Sequence, residues 1–451
     1  MRRGFVLALT LLCTGCAMFK SDRTRLAEWQ DEAVSLRGLT FKHGVELSWV
    51  DESQMKDVLT DEAEDDLEPK RVAGERDALA AIGVLPPEID LAKELLTLYA
   101  SQVAGIYSQR KNTLFVNQGM AGGLQSLVLG PIMVHELTHA LQDQHFPEVL
   151  GLLLNLDDED DVGRALSGTV EGDATVTMLG ALPGVSADQK RIEMAETVRD
   201  SMLKQLDDRD SDIGKAPRLL AVSLVFPYAY GTMLAAERWD SAGNAGLDAE
   251  LEDPPLATLH LLQPGTRGPV DFVRLPGEQI RRAAGSSCTL DYSNVAGALL
   301  LRVLFEDSLA PAKSNALLAG WRGDRYLKLG CGDKWELLWL TRWKSNEAAQ
   351  RFADAYRALA PGVAARTKLS GPAEVVVRDQ TALVVTPGLR ARADEWIQKS
   401  EVRSYSSFVD WVGGGCFPDE ACPTRTNTER AGDPRGSDRP GAGLESPLTR
   451  P

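Results

Sequence analysis

The feature that most constrains this chain is the segment from Pro131 to Gln144, an apolar helical pattern that contains His-Glu-Leu-Thr-His at residues 135–139. Residues four apart lie on one face of a helix, so the imidazoles of His135 and His139 can point to one position. Zinc accepts such a pair, with ring nitrogens about 2 Å from the metal. Glu136 is then placed to take a proton from a water beside the metal, a role that a purely structural site does not need. The pattern predicts one catalytic zinc ion per chain, with Glu136 as the general base.

A catalytic zinc has three protein ligands and one open position, so a third His, Asp or Glu is expected. Glu171 is the favoured residue, because it is a single acid in the middle of an otherwise apolar predicted helix, residues 162–182, and an acid there needs a partner. It follows His139 by 32 residues (171 − 139), which leaves room for a loop and a returning helix. The sequence therefore predicts His135, His139 and Glu171 as the metal ligands.

Other polar and aromatic residues are predicted to support the ligands or the reaction. The residues that could orient a ligand histidine through a hydrogen bond are Asp173, Thr175 and His145. The residues that could stabilise an oxyanion are Tyr228, Tyr230 and His260. The tyrosines lie in an apolar predicted helix, where packing is the commoner role of such aromatics, and the histidine lies in a loop-like segment.

The HELTH motif followed by VEGDAT at 170–175 resembles the gluzincin branch of zinc metallopeptidases, the group that includes thermolysin. Three further segments are similar to a little-characterised family of exported bacterial and archaeal proteins with this motif. They are VAGIYSQRKNTLFVN at 103–117, HALQDQHF at 139–146 and GWRGDRY at 320–326. One segment departs from that family, which tends to have Thr-Glu-Gln followed by His and Pro, whereas this chain has TLHLLQP at 258–264.

The resemblance implies a zincin-like fold, in which the metal helix packs under a twisted sheet, and hydrolysis of peptide bonds by metal-activated water. It further implies that an edge strand, expected at Thr113–Asn117, holds an extended protein or peptide substrate by strand addition. The alternative is a zinc-binding but non-proteolytic envelope lipoprotein that acts as a binding or assembly module. A third interpretation is a structural lipoprotein without metal.

The first sixteen residues are predicted to be a signal peptide. A basic start at Arg2 and Arg3 precedes an apolar run, Phe5 to Leu12, that is too short to span a bilayer. Small residues before Cys16 resemble a bacterial lipoprotein processing site, which would make Cys16 the lipidated first residue of the mature protein. The expected location is the cell envelope, at the outer membrane in a diderm organism, with secretion as the alternative. The net charge of -16 disfavours nucleic acid as a partner, and the sequence makes no prediction about oligomeric state.

Export permits disulfides, and four cysteines follow the signal region. Cys416 and Cys422 are close enough to close a small loop, and Cys288 could then pair with Cys331.

The order of elements predicts an α+β fold, with a hairpin and helices first and a β-α-β-β-α module after residue 334. We expect Pro131 in the first turn of the metal helix. The predicted segments are a lipoprotein signal peptide at 1–16, a tether at 17–36, a zincin-like catalytic domain at 37–270, a C-terminal helical and α+β module at 271–412, and a disordered tail at 413–451.

Overall fold

The structure is a computed structural model that describes residues 22–62, 67–102, 104–121, 126–186 and 189–414. The predicted signal peptide with Cys16, the start of the predicted tether, the pair Cys416 and Cys422, and the tail beyond Gly414 lie outside these residues. The described residues form an α+β fold with open sheets, as the sequence predicts.

The described residues contain helices of very different lengths. They are α1 Asp22–Arg37, α2 Glu52–Glu62, α3 Pro69–Ile82, α4 Leu91–Gln102, α5 Ser126–His145, α6 Pro147–Asn155, α7 Asp160–Gly180, α8 Arg191–Gln205, α9 Asp212–Lys215, α10 Arg218–Phe226, α11 Thr232–Ala242, α12 Asn244–Glu252, α13 Thr258–Leu262, α14 Gly277–Ala284, α15 Gly297–Phe305, α16 Pro311–Leu318, α17 Asn346–Arg366, α18 Pro387–Arg390, α19 Ala393–Lys399 and α20 Phe408–Gly413. A π-helical turn, Pro227–Gly231, joins α10 to α11.

The strands of the described residues belong to three sheets. They are β1 Glu46–Val50, β2 Gly105–Ser108, β3 Thr113–Asn117, β4 Val270–Arg274, β5 Cys288–Asn294, β6 Trp321–Cys331, β7 Lys334–Trp343, β8 Glu374–Arg378, β9 Thr381–Val385 and β10 Glu401–Tyr405. The sheets have the orders β1-β3-β2, β10-β4 and β5-β6-β7-β9-β8.

The small sheet beside α5 contains the predicted hairpin, because β2 and β3 pair antiparallel. The expectation that Thr113–Asn117 is the edge strand is wrong. β1 pairs with the other side of β3 in parallel, so β3 is central and its residues Leu114 and Val116 are fully buried. The edge strand next to α5 is β2, and this places a different strand at the candidate site.

The interpretation of residues 17–36 as a tether is wrong for the part that the structure describes. That part lies in α1, which packs along α5 and buries Ala33 completely. Leu26, Trp29 and Leu36 join the same apolar cluster as Val134 of α5. The helix is therefore integral to the fold.

Helix α5, which contains the predicted metal-binding histidines, begins earlier than predicted, so Pro131 lies inside it rather than in its first turn. Proline cannot donate the backbone hydrogen bond that an interior position normally makes. Apolar burial compensates, because Leu129 before the proline and Met133 after it both enter the core beneath the small sheet.

Helix α7 crosses α5 and approaches the π-helical turn more closely than side chains would allow. A Cβ on Gly172 would lie 2.3 Å from the carbonyl oxygen of Gly231, and one on Gly231 would lie 1.9 Å from that of Gly168. The absence of side chains at Gly172 and Gly231 lets the two backbones pack in direct contact. This contact fixes the position of α7 relative to the π-helical turn.

The C-terminal sheet confirms the predicted β-α-β-β-α module, formed by β7, α17, β8, β9 and α19. A disulfide joins Cys288 of β5 to Cys331 of β6, which is the pairing considered from the sequence.

The predicted boundary between residues 270 and 271 does not separate two cores. It falls inside β4, and the largest apolar cluster contains residues on both sides, such as Leu166 and Phe352. Tyr356 of the C-terminal module donates a hydrogen bond to the carbonyl of Ile82 at the end of α3. The two predicted segments therefore share one hydrophobic core.

The run Arg218–Ala242 is long and apolar enough to cross a membrane. However, 67% of its most apolar stretch is buried inside the protein, and the π-helical turn interrupts its regular helix. It therefore packs here as a core element.

Candidate metal centre

Helix α5 presents His135 and His139 one turn apart on a single face, as their spacing predicts. Their ring centroids are 4.7 Å apart with an interplanar angle of 88°, and their Nε2 atoms are 3.1 Å apart. The opposite face holds the helix in the core through side chains with no exposed area, which are Met133, Val134, Leu137, Ala140 and Leu141. The two rings are thus directed by a rigid element rather than by a loop.

Helix α7 brings Glu171 to the same point. Its Oε2 lies 3.1 Å from Nε2 of His135 and 3.5 Å from Nε2 of His139. Among the residues that the structure describes, these three form the one group of His, Cys, Asp and Glu side chains close enough together to hold a metal ion.

The three donor atoms fit a zinc ion. Ligands about 2.1 Å from a tetrahedral zinc are about 3.4 Å from one another, and the observed separations are 3.1, 3.1 and 3.5 Å. Two imidazoles and one carboxylate form a typical ligand set for catalytic zinc, with the fourth position left for water or substrate. Without a cation, two ring nitrogens at this distance must share a proton between them or repel each other.

The charges at the site are strongly coupled. Burial alone would lower the pKa of His139, but the facing Glu171 carboxylate raises it to about 9. Burial alone would raise the pKa of Glu171, but the attraction of His139 and the hydrogen bonds from His135 and His139 hold it well below its usual range. The carboxylate of Glu171 and the imidazolium of His139 therefore stabilise each other's charged form.

Glu136 lies between α5 and the edge strand β2. Its Oε2 accepts a hydrogen bond of 2.9 Å from the backbone N–H of Tyr107. Burial raises the pKa of Glu136, against the lowering effect of His135 and His139. A carboxyl group of raised pKa beside the two histidines has the property expected of a group that accepts and returns a proton.

His139 is held from behind by Gln142, a residue that the sequence reasoning missed. Nδ1 of His139 lies 2.8 Å from Oε1 of Gln142, and Nε2 of Gln142 donates to the carboxylate of Asp173 at 2.9 Å. The sequence predicts that Asp173 could orient a ligand histidine, and in the structure Asp173 reaches His139 through Gln142. The spacing of three residues between His139 and Gln142 on one helix was a signal that could have identified the contact.

Three other predicted residues make no hydrogen bond to the cluster of His135, His139 and Glu171. His145 makes a hydrogen bond with the carbonyl of Thr40 at 2.8 Å, and so secures the loop after α1. Thr175 is buried and its hydroxyl has no partner among the described residues. His260 lies in α13 rather than in a loop, where its Nε2 accepts the N–H of Gly268 and burial lowers its pKa to about 4.

The two candidate tyrosines lie on the π-helical turn but differ in position. The ring of Tyr228 is 6.3 Å from that of His135 and lines the cleft beside Glu171. Tyr230 accepts a hydrogen bond of 2.6 Å from Arg302 and packs against Phe226. Only Tyr228 is thus close enough to the centre to face a bound substrate.

A cleft of about 440 Å³ begins at Glu171 and Tyr228. One face of α7 forms its floor over about 16 Å, from Glu171 back to Asp160. Its walls are mostly leucines from four elements, including Leu79, Leu98, Leu153, Leu219, Leu220 and Leu224. Charged side chains, among them Arg71, Glu75 and Arg164, also line it. The cleft thus combines the size of a binding site for an organic ligand with leucine walls and charged groups.

Comparison with known proteins does not assign a function to this centre. A family model described as a domain of unknown function (DUF8575) matches residues 289–395, less than a quarter of the chain. That segment contains β6, β7 and α17 but none of the three clustered side chains. No curated protein and no solved structure matches the chain.

Proposed function

We propose that this protein is a zinc-dependent metallopeptidase of the gluzincin type, with a zincin-like arrangement of its metal helix and sheet. The observation that carries the proposal is the convergence of His135, His139 and Glu171 at tetrahedral spacing, with Glu136 beside them and a leucine-walled cleft adjoining. A bound zinc would polarise a carbonyl group and make water more acidic.

The chain's own residues account for the remaining requirements of peptide hydrolysis. Glu136 would accept a proton from the attacking water and pass it to the leaving nitrogen, while the N–H of Tyr107 holds its carboxylate in place. The hydroxyl of Tyr228 is the nearest candidate to stabilise the oxyanion.

Substrate would lie as an extended strand along β2, the edge strand beside α5. One of its side chains would enter the leucine-lined cleft, and the apolar walls favour large apolar side chains there. We therefore expect the protein to cleave unfolded proteins or peptides next to residues such as leucine and phenylalanine.

A Glu136→Gln variant tests the catalytic part of the proposal. It should keep one zinc per chain and lose casein digestion by a factor of about 100 or more, since it removes the general base. His135→Ala should lose the zinc itself. His145→Ala is the matched control, because it removes a histidine from the same helix that does not face the centre.

Metal analysis and casein digestion of the four proteins decide the matter. Equal digestion by the wild type and the Glu136→Gln variant would exclude Glu136 as the base. Zinc binding by a wild type that cleaves no peptide in a library would instead favour a non-proteolytic binding module.

We also propose that the protein is exported and anchored by a lipid on Cys16, on the strength of the N-terminal sequence. Palmitate labelling of cells that express the wild type and a Cys16→Ser variant tests this. Labelling of both proteins, or of neither, would refute lipidation at Cys16.

A further inference from the structure

The buried arginine at the end of α1 has partners that lead to the metal centre. Arg37 has no exposed area, and its Nε donates to the carboxylate of Asp173 at 3.0 Å. Its Nη2 is 2.7 Å from the carboxylate of Asp248 on α12. Asp173 is itself buried and also accepts the Nε2 hydrogen of Gln142. An unbroken series of polar contacts thus connects α1 with the histidine ligand His139.

The orientation of the Gln142 amide is determined by its surroundings. Its nitrogen lies 2.9 Å from the carbonyl oxygen of Val170 and 2.9 Å from Oδ2 of Asp173. A carbonyl and a carboxylate can only accept hydrogen bonds, so the NH₂ end must face them. The oxygen end of the amide must then face His139.

This orientation selects the tautomer of His139. The Gln142 oxygen can only accept, so Nδ1 of His139 must carry a hydrogen and donate it across the 2.8 Å contact. In the neutral ring, Nε2 is then the nitrogen with the free electron pair, and Nε2 is the atom that faces Glu171 and His135. No equivalent support exists for His135, whose Nδ1 is buried without a partner among the described residues.

We propose that Arg37, Asp173 and Gln142 are positioning residues that hold His139 in the tautomer needed to bind the metal. Arg37 neutralises Asp173, which keeps the carboxylate buried against Gln142 instead of turning toward solvent. By this inference α1 is part of the metal centre, although it contributes no ligand. The proposal rests on the metal site of the proposed function but not on its hydrolytic chemistry.

The test is the dissociation constant for zinc, measured on the purified chain by competition with a chromophoric chelator. Gln142→Leu and Arg37→Met should each raise the constant 10- to 100-fold, the usual effect of losing a hydrogen-bond partner of a metal ligand. In the double variant, Arg37→Met should add less than twofold to the effect of Gln142→Leu, because both act through one contact. Independent effects that multiply in the double variant would overturn the proposal.

Matched controls separate this role from general stability. Arg191→Met also removes a buried arginine, but one that packs on Trp239 and does not contact the metal centre. Asp248→Asn removes the other partner of Arg37 and keeps its pair with Asp173. Both should leave the zinc constant within twofold of the wild type, whatever their effect on unfolding in urea.

The outcomes also distinguish the two proposals. If the wild type binds zinc and Gln142→Leu binds it equally well, the positioning role fails and the proposed function stands. If the wild type binds no zinc, both fail. If Arg37→Met does not fold, the Gln142→Leu variant alone tests the positioning role. When this variant is loaded with cobalt, its visible spectrum should differ from that of the cobalt-loaded wild type. An unchanged spectrum and constant in that variant would overturn the inference.

Discussion

Substitution of Gly172 by alanine should test whether the contact between α7 and the π-helical turn places the site. A Cβ at this position would lie 2.3 Å from the carbonyl oxygen of Gly231 and 2.4 Å from its carbonyl carbon. These are backbone atoms and cannot rotate away. An ordinary contact begins near 3.4 Å, so the two segments must separate by about 1 Å (3.4 − 2.3).

The expected magnitude follows from two opposing contributions. Overpacking a core costs about 1–3 kcal/mol, and a clash with backbone belongs at the upper end of that range. Alanine is a better helix former than glycine by about 1 kcal/mol. The net expectation for Gly172→Ala is therefore a loss of about 2 kcal/mol in the free energy of unfolding. The same shift moves Tyr228 relative to Glu171, and a misplacement of about 1 Å can lower kcat about 100-fold.

Urea unfolding of Gly172→Ala and of a control in the same helix measures the effect. Gly163→Ala is the control, because the nearest atom to its Cβ is a leucine methyl at 3.6 Å, an ordinary contact. It should raise the free energy of unfolding by about 0.5–1 kcal/mol, from helix propensity alone. If both variants are stabilised equally, the reasoning about close backbone packing is wrong.

Three further predictions concern pH, the cleft and the metal. Burial raises the pKa of Asp161 from 3.8 to about 7. Between these two pH values the folded state therefore binds more protons than the unfolded chain. The free energy of unfolding should fall as the pH rises from 4 to 7, by at most on the order of 4 kcal/mol. Urea unfolding at pH 5 and pH 8 should show most of this fall in the wild type and a much smaller change in Asp161→Asn. Ser167→Leu narrows the cleft one helical turn from Glu171. It should lower kcat/KM for peptides with phenylalanine about tenfold relative to peptides with alanine, and leave the zinc content unchanged. An equal loss for both kinds of peptide would contradict the cleft assignment. Removal of zinc by a chelator should lower stability by about 2.7 kcal/mol relative to protein in zinc at 100 times its Kd, and a melting temperature insensitive to zinc would argue against the site.

The sequence by itself was sufficient to predict the helix that presents His135, Glu136 and His139, because a spacing of four residues on a helix is a local geometric property. The pairing of β2 with β3 and the C-terminal module were predictable for the same reason, since alternation and turn residues act over short distances. Glu171 could be proposed because an isolated acid in an apolar helix needs a partner. Only the fold shows which partner it meets.

Other features depend on contacts between distant parts of the chain. Arg37 meets Asp173 across 136 residues, and nothing in the local pattern of α1 distinguishes that helix from a polar tether. Likewise β1 pairs with β3 across 67 residues (113 − 46). Because of this pairing β3 is central, and β2 is the edge strand beside α5. The spacing of residues along a helix follows from chain geometry and can be read from sequence. Burial of the whole core decides which helices pack together and which buried charges meet. Only the tertiary structure therefore shows which side chains support the candidate centre.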